Sequence, residues 1–245
     1  MLAIPLKATD QSGSKSVEWD KALHKFVSRT YSPKLADAHK AQFAAVNDQR
    51  KQIGSLIARG ITPATAEGTE KLLIRYFRLL CAVEKRFAGS DLRMQFSWRD
   101  SFEAVAKQGE ADVHFESAAV LYNLCAVCSF LAVHQSRTDA EGIKAACQRY
   151  QQTAGLLELL EAHVRSSVWC DRGTVDLKPS TLQMMRKLML AQAQRCVYEK
   201  AALDAMNPKL LSKISAQVGV VLRRSAAGAW GMSRHNHVTD HVTTT

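Results

Sequence analysis

The chain has 245 residues, of which 47% are hydrophobic and 23% charged, and its formal net charge is +10 at pH 7. This length suffices for a buried core in one large domain or two small ones, and the scarcity of glycine and proline favours helix. The basic residues are scattered and are not interleaved with aromatic residues. This pattern argues against a nucleic-acid surface and leaves an anionic membrane or acidic protein partners open.

The amino-terminal residues 2–6 alternate weakly, which predicts a short edge strand, since Pro5 is tolerable only at an edge. A second strand is predicted at 92–98, where apolar and polar residues alternate from Leu92 to Trp98. We expect the two strands to pair, because an isolated strand leaves its backbone groups without hydrogen-bond partners. The first seven residues are too short for the apolar region of a signal peptide.

Most of the remaining chain shows helical periodicity. Apolar residues recur at three- and four-residue spacing, which predicts helices at about 17–31, 33–59, 67–87, 113–134, 139–164, 181–206 and 208–224. The apolar run at 118–133 is interrupted by polar residues and falls short of the ~18 residues of a membrane span, so it predicts a buried helix. Small residues at crossing positions from residue 116 onward predict a mainly α fold of solenoid-like helical hairpins.

The stretch from Pro179 to Ile214 predicts two successive amphipathic helices, the second capped by Asn207 and begun by Pro208. The first of them is apolar on two sides, which indicates a helix placed between neighbours. Val197 differs, because it lies on an otherwise charged arc and is a candidate for exposed contact. Residues 225–245 lose this periodicity, so we expect a folded domain over 1–224 and an unstructured tail after it.

The six cysteines are widely spaced, which is typical of a reducing compartment and predicts a cytosolic protein. Cys125 and Cys128 have the spacing of a redox or metal pair but lie in mid-helix among apolar residues, which favours core packing.

Neither the tail nor the helical glutamates predict a catalytic site. In the tail, His235, His237, Asp240 and His241 could chelate a metal adventitiously, but no scaffold fixes their geometry. Glu116, Glu141 and Glu158 lie among basic residues, where a solvated face is the ordinary interpretation. No phosphate loop, nucleophile elbow or zinc-peptidase motif is present in the sequence, so it predicts no enzyme, cofactor or metal.

Six segments resemble, in order and spacing, the Bro domain of the Alix, Bro, PalA and rhophilin proteins, and look nearest to the Alix branch. They lie at 72–87, 94–102, 115–124, 141–144, 150–155 and, most specifically, 188–194, which has the sequence LMLAQAQ. The likeness extends from the first residues to about Arg224. The family's domain continues further, so we expect either a truncated product or gene model, or a shortened variant.

The resemblance implies a curved helical scaffold with a small sheet at one end and no catalytic activity. Such domains work in multivesicular-body sorting, in the cytoplasm and on endosomes, by docking the carboxy-terminal amphipathic helix of an ESCRT-III subunit on an exposed apolar patch. Carried over by position, the patch residues are Val197, Leu210 and Ile214, with Lys144 and Lys200 nearby as partners for acidic side chains. Family members have a larger aromatic residue in place of Val197, for which Tyr198 is a candidate substitute.

Three alternatives stay open from the sequence. The three aliphatic patch residues could be ordinary core residues. The protein could be a signalling adaptor of the PalA (ambient-pH) or rhophilin type. It could also be a basic protein that binds an anionic endosomal membrane surface.

Overall fold

The computed structural model of the chain describes residues 1–9, 17–87, 92, 94–103 and 105–220. The helices are α1 (Trp19–Thr30), α2 (Pro33–Ala38), α3 (Lys40–Arg59), α4 (Pro63–Glu84), α5 (Val113–Val133), α6 (Ala140–Arg165), α7 (Pro179–Leu203) and α8, the helical stretch at 208–220. The strands are β1 (Phe96–Arg99) and β2 (Lys107–Glu110). Two short 3-10 turns, Cys170–Arg172 and Val175–Leu177, connect α6 to α7.

Helix α5 is the centre of the core. It is apolar around its whole circumference, and a helix of that kind is stable only when neighbours cover every side. Here α4 and α6 flank it, and α7 packs on the far side of α6. By length and composition α5 is the one described helix that could cross a membrane, but 89% of the relevant window is buried inside the protein, as predicted. Cys125 and Cys128 are both fully buried in it, which confirms their core packing.

The small sheet differs from the prediction in its partner strand. β1 was expected to pair with the amino-terminal residues, but it pairs antiparallel with β2, in a register that places Trp98 opposite Gln108. The amino terminus meets β1 through an isolated bridge between Thr9 and Trp98 and a hydrogen bond from Arg99 N to Ala8 O at 2.8 Å. β2 was missed because Lys107–Glu110 is polar and contains a glycine, so it shows no apolar alternation.

The amino-terminal segment 1–8 has no regular secondary structure and lies against helices, so its prediction as a strand was wrong. Side chains take the place of a neighbouring strand. Ser129 Oγ of α5 accepts from Ile4 N at 2.9 Å, and Asn123 of α5 both accepts from Lys7 N (2.8 Å) and donates to Lys7 O (3.0 Å). Gln192 of α7 makes the same two-way contact with Leu2. The segment thus joins α5 to α7.

Near the end of this segment, Lys7 forms a fully buried ion pair with Asp176. Its Nζ lies 2.7 Å from Asp176 Oδ2 and 3.1 Å from Thr174 Oγ1, and Asp176 also accepts from Ser101 N at 2.9 Å. Burial lowers the pKa of Lys7, an effect that Asp176 opposes. The pair fixes the connection that leads into α7.

Glu116 is buried, which corrects its assignment to a solvated face. Its carboxylate accepts from Arg50 Nε at 2.7 Å, from Trp98 Nε1 at 2.7 Å and from Tyr76 OH at 3.1 Å. A buried carboxylate is tolerated only when it is paired and hydrogen-bonded, and here partners from α3, α4 and β1 supply that compensation. Burial, followed by the charge of Glu116, raises the pKa of Tyr76.

The predicted single helix at 33–59 is interrupted at His39, which separates α2 from α3. The other predicted helices appear with their ends moved by a few residues, and the predicted end of the last one, at 224, lies outside the described residues. The predicted tail at 225–245, with its histidines, lies outside the described residues.

Candidate docking groove

The end of α7 sets the geometry of the site. Ala205 has a φ of 50°, a left-handed conformation, and Met206 N donates back to Ala201 O at 3.0 Å while Ala205 N donates to Ala202 O at 3.1 Å. These two bonds form a Schellman motif, which satisfies the last carbonyls of a helix and reverses the chain.

Asn207 then starts α8, as the sequence predicts. Its side-chain Oδ1 accepts from Lys209 N at 2.9 Å, and Pro208 stands at the first helical position, where its missing N–H costs nothing. The two caps bring α8 back beside α7, and Gln217 reaches Gln194 at 3.5 Å.

A groove of about 420 Å³ lies between the start of α6, the end of α7 and α8. We call it the α6–α8 groove. Its lining is predominantly apolar, and the three charged residues in it are Lys144, Lys200 and Asp204. The apolar lining residues are Ile143, Cys147, Cys196, Val197, Ala201, Met206, Leu210 and Ile214.

The structure brings together the three aliphatic residues that the resemblance selected. Val197 is 42% exposed and Leu210 is 45% exposed, while Ile214 is half-buried. They therefore face the groove from two helices and are not enclosed in the core. Met206, 41% exposed, is a further lining residue that sequence analysis missed. The signal that could have found it is an apolar residue directly after a helix end, where a Schellman motif places a hydrophobic contact.

The two predicted lysines differ in their surroundings. Lys144 is exposed at the start of α6 and has no ion-pair partner among the described residues. Lys200 is half-buried, and its Nζ lies 2.6 Å from Asp204 Oδ2. Lys144 is thus available to an acidic ligand, whereas Lys200 would first have to leave Asp204. Tyr198 is half-buried and is not one of the groove's lining residues.

Contacts between α6, α7 and the connection before α6 hold the floor of the groove. Ile143 and Cys196 are buried, and Arg137, in the connection before α6, lies 3.0 Å from Glu199 Oε2 and 2.9 Å from Cys196 Sγ. Cys147 Sγ of α6 also lies 3.5 Å from Ala193 O of α7. Burial raises the pKa of both thiols, so they act as small apolar groups. A firm apolar floor with half-exposed aliphatic walls can accept the apolar face of an amphipathic helix.

Comparisons with known proteins agree with this architecture. A family model described as BRO1-like domain matches residues 1–242. The chain is 32% identical over 220 residues to ALG-2 interacting protein X of Dictyostelium discoideum, covering 89% of this chain and 26% of the relative. It is 34% identical over 230 residues to the vacuolar-sorting protein BRO1 of Arabidopsis thaliana, covering 90% and 26%. The chain therefore spans about a quarter of the length of these relatives.

Solved structures give the same result. A structure of ALIX in complex with a late-domain peptide of SIVmac239 superposes with a TM-score of 0.81 at 25% identity, covering 99% of this chain and 34% of that one. An ALIX BRO1–CHMP4C complex gives 0.79 at 26% identity, covering 94% and 64%. These neighbours confirm the predicted fold class, a helical solenoid with a small antiparallel sheet, and the resemblance seen in the sequence.

Proposed function

Because the chain belongs to the BRO1-like domain family, we propose that it is a non-enzymatic scaffold of endosomal sorting that docks a partner helix in the α6–α8 groove. The BRO1-like domain is a protein-interaction scaffold and not a known enzyme family. The partner would be the carboxy-terminal amphipathic helix of an ESCRT-III subunit. The observation that supports this most is the position of Val197, Leu210 and Ile214 around one apolar groove, each still accessible to solvent.

Apolar burial provides the driving force for docking. Fully burying one aliphatic side chain is worth about 1.5–3 kcal/mol. The groove residues already lie partly in the protein, so each contributes only the fraction still exposed, and ordering of the ligand opposes the sum. Moderate affinity follows, which suits a partner that assembles and leaves.

The charges of the groove favour a ligand with an acidic residue at the α6 margin. Lys144 is exposed at the α6 margin, and Asp204 lies at the α7 end beside Lys200. An acidic residue on the ligand could form an ion pair with Lys144. Lys200 would add little attraction, because Asp204 already neutralises its charge. Because Lys144 is exposed, its ion pair should affect the rate of association more than the affinity.

The proposal is tested by the affinity of a fluorescent peptide with the sequence of the CHMP4C carboxy-terminal helix, measured by polarisation. Leu210→Asp should weaken binding about 10-fold or more, because a carboxylate would be buried against the ligand's apolar face. Leu159→Asp is the matched control, since Leu159 is 51% exposed on α6 but does not line the groove. Equal affinity of the two variants would remove the site assignment.

The proposed location follows from the same role. The relatives include proteins named for vacuolar sorting, and we expect this chain in the cytoplasm with recruitment to endosomes. Microscopy of a tagged chain should show puncta that the Leu210→Asp variant loses. Puncta that persist in this variant would assign recruitment to another surface.

A second candidate function, binding to an anionic membrane, is supported by the outer face of α4. Lys71, Arg75 and Arg78 share this face, Lys85 follows directly after the helix on the same side, and all four are exposed. None of the four has an ion-pair partner within the described ranges, and at 1.5 Å per residue they extend over roughly 21 Å. A row of unpaired cations attracts anionic lipid headgroups in a salt-dependent way.

Liposome co-sedimentation tests this second candidate. Reversing Arg75 and Arg78 to Glu should reduce binding to phosphatidylserine vesicles at low salt, and added salt should reduce wild-type binding in the same direction. Reversing Lys209 and Lys213, which are exposed on α8, changes the net charge equally and is the control. Equal losses would indicate that total charge matters and the α4 face does not.

A further inference from the structure

Three helices meet in a half-buried cluster of metal-ligating side chains away from the groove. Glu84 is the last residue of α4, His114 is the second residue of α5, and His163 lies in the last turn of α6. One ligand atom from each lies within 4.8 Å of the others, and Glu84 Oε1 is 3.8 Å from His114 Nδ1. Two imidazoles and a carboxylate are a donor set that Zn²⁺ accepts.

The backbone around the cluster orients both rings. His114 Nε2 lies 2.9 Å from His163 O, and His163 Nε2 lies 3.1 Å from His114 O. A carbonyl oxygen only accepts, so each Nε2 donates its hydrogen and each Nδ1 keeps a lone pair when the ring is neutral. A metal-ligating histidine usually has this outer contact, a ring N–H donated to a backbone carbonyl.

Electrostatics at the cluster favour a cation. Glu84 and Asp112 are the acidic groups that act on the two rings. The neighbouring carboxylate of Glu84 raises the pKa of His114, whereas burial and the neighbouring His114 lower the pKa of His163. The carboxylate of Glu84, 3.8 Å from His114 Nδ1, would attract a metal ion placed beside the two rings.

Ligation requires a local rearrangement. The rings are stacked, with centroids 3.5 Å apart and planes 19° apart, so their in-plane lone pairs do not converge. Ser117 Oγ also donates to Glu84 Oε1 at 2.7 Å and lies 2.9 Å from His163 Nε2. With metal–ligand bonds of about 2.0–2.1 Å, tetrahedral ligands lie roughly 3.4 Å apart. One imidazole must therefore turn about its Cβ–Cγ bond, and the ligand atoms, which lie within 4.8 Å of one another, must approach that spacing.

From this juxtaposition we infer that Glu84, His114 and His163 bind a divalent transition-metal ion of the Zn²⁺ class. The ion joins the ends of α4, α5 and α6 and so stabilises the scaffold, without a role in docking. The site is independent of the α6–α8 groove, because His163 lies at the opposite end of α6 from Lys144.

Zinc binding to the full chain, measured by calorimetry, tests the inference. His235, His237 and His241 are first replaced by Asn, because the tail histidines would also chelate zinc. This parent should bind one equivalent of Zn²⁺, and Co²⁺ should give the intense visible absorption of a tetrahedral site. His163→Asn and Glu84→Gln should each weaken Zn²⁺ binding by at least about 10- to 100-fold, because the loss of an outer hydrogen-bond partner of a ligand already costs that much.

The control is His24→Asn, since His24 forms an exposed pair with Asp37 at 2.9 Å and leaves the cluster intact. Its Zn²⁺ affinity should equal that of the parent. Circular dichroism checks that each variant is folded. Unchanged affinity in both His163→Asn and Glu84→Gln, or a Co²⁺ spectrum of the octahedral aquo type, would overturn the inference.

Discussion

Ala205 shows how one residue shapes the groove. It is the non-glycine residue with a positive φ in the described part of the chain, and its conformation lets Met206 and α8 turn back over α7. Left-handed backbone costs an L-residue other than glycine about 1–2 kcal/mol. The hydrogen bonds that end α7 and begin α8 must therefore outweigh the preference of Ala205 for a negative φ.

Ala205→Gly should therefore stabilise the chain by up to about 1 kcal/mol, because glycine adopts this φ without steric cost but loses more conformational entropy on folding. The free energy of unfolding from urea titration measures the change. Ala205→Val should destabilise it. A destabilised glycine variant would contradict the assigned backbone geometry.

Asp100 makes stability depend on pH. Its carboxylate, 4% exposed as a residue, accepts from Phe102 N at 2.7 Å, Glu103 N at 3.0 Å and Asp176 N at 3.1 Å. Burial alone would raise the pKa of Asp100, but these backbone donors outweigh it and lower the pKa. The folded pKa is thus below the unfolded value of about 3.9.

Asp100→Asn should lower the free energy of unfolding by about 1–3 kcal/mol at neutral pH, since an amide cannot accept from all three donors. The wild-type advantage is fully present above the unfolded pKa and should shrink as the pH falls through the lower folded pKa. Urea titrations at several pH values measure it. Asp48→Asn, at an exposed position, is the control. A difference in free energy of unfolding between wild type and Asp100→Asn that does not change with pH would contradict the account.

At the scale of elements, the amino-terminal segment is the least regular part of the core and among the most specifically held. Its backbone groups bond to side chains of α5 and α7 in place of a strand. Asn123 satisfies both the N–H and the C=O of Lys7, so it performs the role of a neighbouring strand for one residue.

Asn123→Ala should lower the free energy of unfolding by about 2–4 kcal/mol, because it leaves two buried backbone groups unsatisfied. Ser129→Ala removes one such bond, from Ile4 N, and should cost less. Chemical denaturation of the two variants gives the comparison. The reverse order would show that the segment is held by apolar packing alone.

The helices could be predicted from the sequence because apolar residues recur in them at helical spacing. The burial of α5 could be predicted because this helix has no polar face. The sequence could not reveal Glu116, whose partners Arg50, Tyr76 and Trp98 come from distant segments. In the groove, Val197 was visible as an apolar residue on a charged arc. Leu210 and Ile214 required the family resemblance, since exposed and buried aliphatic residues have the same spacing on an amphipathic helix.

At the scale of the whole molecule, three features occupy separate places along the series of helices. The basic face lies on α4. The Glu84 cluster connects the end of α4, the start of α5 and the end of α6, whereas the α6–α8 groove lies at the start of α6. A membrane and a partner helix could therefore bind at once, and a change in the groove should leave the basic face and the Glu84 cluster intact.

Amide hydrogen exchange with and without the CHMP4C helix peptide tests the central claim most directly. The account predicts new protection in the segments that form the groove, 143–147 and 196–214, and none of it in the Leu210→Asp variant. Protection confined to α4 or to the β1–β2 sheet, with the groove segments unchanged, would contradict docking in the α6–α8 groove.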